Sequence, residues 1–80
     1  MGMNSTTWRL YGTLGCHLCE QAEQLLLQLR DARHVEWQVI DIADLPLDEQ
    51  NRLATQIPVL QTNQATLNWP FGLTDLLRLV

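Results

Sequence analysis

Cys16 and Cys19 lie three residues apart in YGTLGCHLCEQAEQLLLQL, and they are the chain's only cysteines. A pair at this spacing has four chemistries open to it: haem attachment, a metal site, buried core thiols, or dithiol–disulfide exchange. Haem attachment requires His directly after the second cysteine, and residue 20 is Glu. A structural zinc needs four ligands. The two cysteines supply half of them, His17 sits awkwardly between them, and His34 lies beyond a predicted helix about 20 Å long. A zinc or iron–sulfur site therefore falls to two chains sharing ligands, and that alternative stays open. Buried core thiols belong in an apolar face, whereas Cys16 follows a glycine in a turn just ahead of a helix.

Dithiol exchange fits this position best. The opening turn of a helix offers unpaired N–H groups and the positive end of the dipole. A Cys16 thiolate is stabilised there, which lowers its pKa and raises its population near neutral pH. Cys19, one turn on, faces the same side and is placed to resolve a mixed disulfide. Its place within the helix predicts a less exposed and less acidic thiol. His17 has two readings: protonated beside Cys16 it favours the thiolate, and turned to solvent it is a polar residue of an exposed turn. Glu20 opposes the thiolate if close; otherwise it is a solvated first-turn acid.

The elements that position the pair follow from periodicity. Thr6 to Gly12 alternates as a strand, with Trp8 and Leu10 on one face and Arg9 and Tyr11 on the other. After the GTLG loop, Leu18, Ala22, Leu25, Leu26 and Leu29 recur at helical spacing, and the helix is predicted to stop near RDARH. Val35 to Ile42 is a second strand whose apolar residues widen to both faces, which predicts an inner strand. A short helix follows Pro46, over roughly Leu47 to Ala54. Pro58 to Leu60 and Ala65 to Trp69 form a hairpin in which Asn63 is suited to positive φ. LTDLLRLV closes the chain as a helix with Leu73, Leu76, Leu77 and Val80 inward. The order β-α-β-α-β-β-α predicts an α/β fold: a mixed four-stranded sheet with helices on both faces.

Size and charge bound the function. Eighty residues predict one domain, 1–80, with an ordered core over about 6–80. No lysine and only five arginines against nine acids leave a net charge of -4, with no basic stripe for nucleic acid or an anionic membrane. The longest aliphatic run is Leu25 to Leu27, far short of a membrane span. MGMNSTTWRL lacks the pattern of a signal peptide, so a reducing cytoplasm is expected. Gly2 and Thr6 meet the loose spacing for N-myristoylation, with no polybasic patch or second lipid site behind it.

LYGTLGCHLCEQA, QIPVL and LNWPFGLTDLLRLV together resemble the small bacterial glutaredoxin-like proteins of the thioredoxin-fold superfamily, over Trp8 to Val80. The resemblance implies a thioredoxin-like fold and a thiol–disulfide oxidoreductase with Cys16 and Cys19 catalytic. It implies that Pro58 is a cis-proline beside the pair, with the Ile57 backbone open to an extended substrate. By the resemblance Thr74 or Asp75 meets an ammonium group at the last helix, and His17, beside Cys16 in this sequence, is expected in the substrate site with Thr74. Departures bear on the thiol partner. Ordinary glutaredoxins resemble CPYC, with a basic residue upstream, TVP, and a GG pair. Here His17-Leu18, the Thr13-Leu14-Gly15 loop, Gln56-Ile57-Pro58 and NWPFGLTD stand in those places. A weak hold on glutathione is expected. The resulting expectation is a cytoplasmic monomer acting on protein or low-molecular-weight disulfides. It needs no bound cofactor, and glutathione or a reductase is the electron donor. The alternatives are a non-catalytic protein-binding module and the dimeric metal site.

Overall fold

The computed structural model describes residues 7–80. The Gly2/Thr6 spacing and the predicted strand start at Thr6 lie outside the described residues. The elements are β1 (Thr7–Gly12), α1 (His17–Ala32), β2 (Glu36–Asp41), α2 (Leu47–Leu53), β3 (Val59–Gln61), β4 (Thr66–Asn68) and α3 (Leu73–Leu77). A 3-10 turn at Ile42–Asp44 joins β2 to α2. The sheet runs β2-β1-β3-β4, with β1 parallel to β2 and the pairs β1–β3 and β3–β4 antiparallel. Order, mixed sheet and helices on its faces are those expected from the sequence.

Alternation along β1 buries Trp8 and Leu10 on one face, and register sets Leu60 beside Leu10 and Leu67 beside Leu60. Onto this face α1 lays Ala22, Leu26 and Leu29, each 0% exposed, and α3 adds Leu76. Burying one leucine side chain fully contributes about 1.5–3 kcal/mol, so these turns anchor α1. Its end is fixed twice. The Arg33 N–H donates to Leu29 O at 2.8 Å, and the Arg30 guanidinium lies 5.0 Å from the Trp37 ring centroid. The opposite face, with Arg9, Tyr11, Val59 and Gln61, meets α2 across a cleft of about 460 Å³. No residue of α2 is buried.

Three expectations are corrected. β2 is an edge strand, not an inner one, and Val39 is 54% exposed. β1 pairs it on one side only, and a cleft opens between Val39 and the first turns of α1. Leu18, Leu77 and Val80, expected inward, are exposed. Helical spacing fixes an angle about the axis, and Leu18 and Leu77 lie at helix ends where less of the fold remains to cover them, while Val80 lies beyond α3, which stops at Leu77. Asn63 does not take positive φ; among the described residues only a glycine does. The β3–β4 turn is held by the Thr62 hydroxyl, whose Oγ1 accepts from Gln64 N at 3.0 Å and Ala65 N at 2.9 Å.

Candidate active site

The cysteine pair sits where β1 hands over to α1. Gly12 ends the strand, and the Thr13–Gly15 loop reverses the chain. Gly15 has φ 78°, a left-handed conformation that residues with a Cβ resist. The Cys16 N–H donates to Thr13 O at 3.3 Å, which closes the turn. Cys16 is then the N-cap of α1, and its Sγ accepts the Cys19 N–H at 3.2 Å. The sulfur thus does what an oxygen does in an ordinary Ser or Asp cap. On reduction the same N–H and the helix terminus face whatever charge Cys16 carries.

Cys16 and Cys19 form a disulfide with their Cα atoms 5.2 Å apart. Both residues are half-buried, so exposure does not tell Cys19 from Cys16. Their backbone roles do: Cys16 is outside the helix as its cap, and Cys19 is inside it, packed against Gly12. The pair is a thiol–disulfide active site. The fold presents two sulfurs at bonding distance, on a helix start, open to a surface cleft.

That cleft has a volume of about 360 Å³. Leu14 and Val39 form apolar parts of its wall, and Glu20, Glu23, Asp41 and Asp44 bring four carboxylates to it. No Arg or His is among its described lining residues. The Asp41 carboxylate also has a structural task, since its Oδ1 accepts from Ala43 N at 2.9 Å. Among the described residues no three His, Cys, Asp or Glu side chains converge as a metal site.

The other residues singled out from the sequence are placed as follows. The His17 side chain is 89% exposed, and its Nδ1 stands 3.9 Å from Glu20 Oε1, so its ring leans along the solvent side of α1. The Ile57–Pro58 bond is cis, and Pro58 is fully buried. Tyr11 pairs with Val59, so Pro58 arrives one step along beside Gly12, at the cysteine end of the sheet. The Ile57 N–H is already engaged, donating to Leu53 O at 3.0 Å. The Pro58 carbonyl accepts from Trp69 N at 3.3 Å. Thr74 is exposed in the first turn of α3. Beside it Asp75 is a capping group, its Oδ2 accepting from Gly72 N at 2.8 Å.

Sequence reasoning missed the cis Trp69–Pro70 bond, the acidic cleft and the contact at Gly12. The four carboxylates are scattered over residues 20 to 44, and only the β1–α1–β2 crossover gathers them. Gly12 carried a visible signal, a glycine at the junction of strand and cysteine loop.

Residues 7–79 match the family described as "Glutaredoxin-like domain (DUF836)". Among solved structures, the chain is similar to the X-ray structure of Northeast Structural Genomics target protein XcR50 from X. campestris. The two are 33% identical with a TM-score of 0.68, covering 86% of this chain and 88% of that one. No curated protein gives a significant match. A family match over nearly the whole described chain coincides with a cysteine pair seated at the start of α1, and the chain belongs to the glutaredoxin-like family.

Proposed function

We propose that the protein is a cytoplasmic, monomeric dithiol–disulfide oxidoreductase acting on disulfides of proteins or small molecules. The observation that carries this reading is the Cys16–Cys19 pair at the start of α1, with Cys16 Sγ accepting the Cys19 N–H. In the reduced protein the Cys16 thiolate attacks one sulfur of a substrate disulfide, and the first substrate thiolate leaves and takes a proton. Cys19 loses its proton and attacks Cys16 Sγ, and the second substrate thiolate departs. Two electrons pass from the dithiol to the substrate, and the structure holds the oxidised product. Two donor thiols, from two glutathione molecules or from one reductase dithiol, then reduce the Cys16–Cys19 disulfide in two exchanges and leave as the donor disulfide, and no bound cofactor takes part.

His17 and Thr74 border the substrate in this reading, and Pro58 backs it. Because the Ile57 amide already bonds to Leu53 O, a substrate strand is received by the Ile57 carbonyl. Glutathione brings two carboxylates, and this site offers neither the upstream basic residue nor the glycine pair of ordinary glutaredoxins. A dithiol reductase is therefore the better donor. The net charge of -4 weighs against nucleic-acid partners. Among the described residues no helix is long and apolar enough to cross a membrane.

Exchange with a neutral disulfide, followed by mass spectrometry, tests the reading. Wild type should release both substrate thiols, Cys16→Ser neither, and Cys19→Ser should hold half the substrate as a mixed disulfide. Turnover by Cys16→Ser would refute it. Purified protein carrying zinc or an iron–sulfur chromophore at half a mole per chain would put the dimeric metal site in its place.

A further inference from the structure

Gly12 is buried at the end of β1, where the first turn of α1 passes over the strand. A Cβ built on it would stand 2.9 Å from Cys19 Sγ and 3.1 Å from Cys19 Cβ. At 2.9 Å something must shift, and at 3.1 Å the neighbour must give by a few tenths of an ångström. Cys19 Cβ cannot retreat easily. It is carried by a helix backbone held down by Ala22, Leu26 and Leu29, and packed interiors yield little. The group left to move is Sγ, by rotation about the Cα–Cβ bond. It now occupies the rotamer that bonds to Cys16, so rotation out of it carries the sulfur away from its partner.

We propose that Gly12 is the positioning residue for ring closure: its missing side chain is the space that lets Cys19 Sγ reach Cys16 Sγ. The inference rests on the dithiol reading above and adds a residue to it. The step concerned is the second one. Cys19 thiolate attacks Cys16 Sγ of the mixed disulfide, the Cys16–substrate sulfur bond breaks, and the released substrate thiolate is protonated by solvent. A Cβ at Gly12 meets Cys19 and no atom of Cys16 within 4 Å, so it acts on the pair through Cys19. The first step, attack by Cys16, does not need it.

The two steps separate with one equivalent of 4,4′-dithiodipyridine per protein, a neutral disulfide that releases one chromophoric thiopyridone at each step and leaves no second molecule to react with Cys19 directly. Reduced wild type should release two equivalents, the second soon after the first. Reduced Gly12→Ala should release the first at the wild-type rate and the second about tenfold to a hundredfold more slowly, the scale expected for a misplaced reacting group. Equal rates of the second step in both proteins would overturn the inference, as would a common slowing of both steps. No release by wild type would instead overturn the dithiol reading itself. Thermal unfolding covers the case of a poorly folded variant. Gly12→Ala should lower the melting temperature of the oxidised form more than that of the reduced form, in which Sγ is free to turn aside. A reduced variant that fails to fold would show that Gly12 serves the fold and not the step.

Discussion

At the cap and first turn of α1, Leu18 is 43% exposed and both cysteines are half-buried; one to three turns later Ala22, Leu26 and Leu29 are sealed in the core. The two ends of one helix thus divide the work. The buried turns fix where the helix axis lies. The open turn inherits that position and presents sulfur to solvent without contributing much packing of its own. Charge leans the same way: Glu20 and Glu23 lie toward the cysteines, and at the far end Arg30 and Arg33 flank the single acid Asp31. A reactive pair needs access, access removes packing, and the anchoring is displaced to residues that never meet substrate.

Substitutions at the two ends should separate activity from stability. Cys16→Ser removes the attacking sulfur and should cut disulfide turnover by at least about a thousandfold. The unfolding midpoint of the reduced protein should hardly change, since the serine hydroxyl can still cap Cys19 N–H. Kinetics and thermal denaturation on the same preparation check both halves. At the other end, Leu26→Ala should cost about 2–5 kcal/mol of stability through the cavity it leaves. In molecules that remain folded, the rate of Cys16 alkylation should match wild type. A large change in that rate would mean that the two ends do not divide the work.

The carboxylates predict a smaller effect. A dicationic disulfide such as cystamine should react several-fold faster than a dianionic one at low ionic strength, after correction for their intrinsic rates with a simple thiol. At about 1 M salt, where the screening length falls to about 3 Å, the difference should collapse. A preference that ignores salt would point to shape instead of field. Smallest of all, Leu18→Ala should change stability by no more than about 0.5 kcal/mol, although it stands at the same helical spacing as the core leucines. A loss comparable with that of Leu26→Ala in chemical denaturation would place Leu18 in the core and erase the contrast.

The same contrast explains what could be read from the sequence. Element order was legible because alternation in β1 and the 3.6-residue period of α1 are local patterns. Cys16 as the residue before a helix was legible for the same reason. Depth along a helix was not. Leu18 and Leu26 carry the same spacing signal, and only the extent of the sheet beneath them tells them apart. The edge position of β2 was hidden because Val39 and Ile40 look like inner-strand residues, and strand order is a long-range property. The β3–β4 turn misled in a different way. Asn63 has the propensity for the turn, and the neighbouring Thr62 hydroxyl forms it. At the site, the cysteines announced themselves, whereas the Gly12 contact exists only because α1 crosses back over β1.

The bond from the Ile57 amide to the Leu53 carbonyl has a bearing on local unfolding. It ties the segment before Pro58 to the last residue of α2, a helix with no buried side chain. A helix with so little buried surface opens at low free energy, well before the global transition. When it frays from its C-terminal end, the Ile57 amide loses its acceptor in the same event. In native-state hydrogen exchange, the α2 amides and the Ile57 amide should therefore exchange as one cooperative unit, ahead of the buried turns of α1. The backbone beside the cysteines would then share its protection with a helix that buries no side chain, although it adjoins the fully buried Pro58.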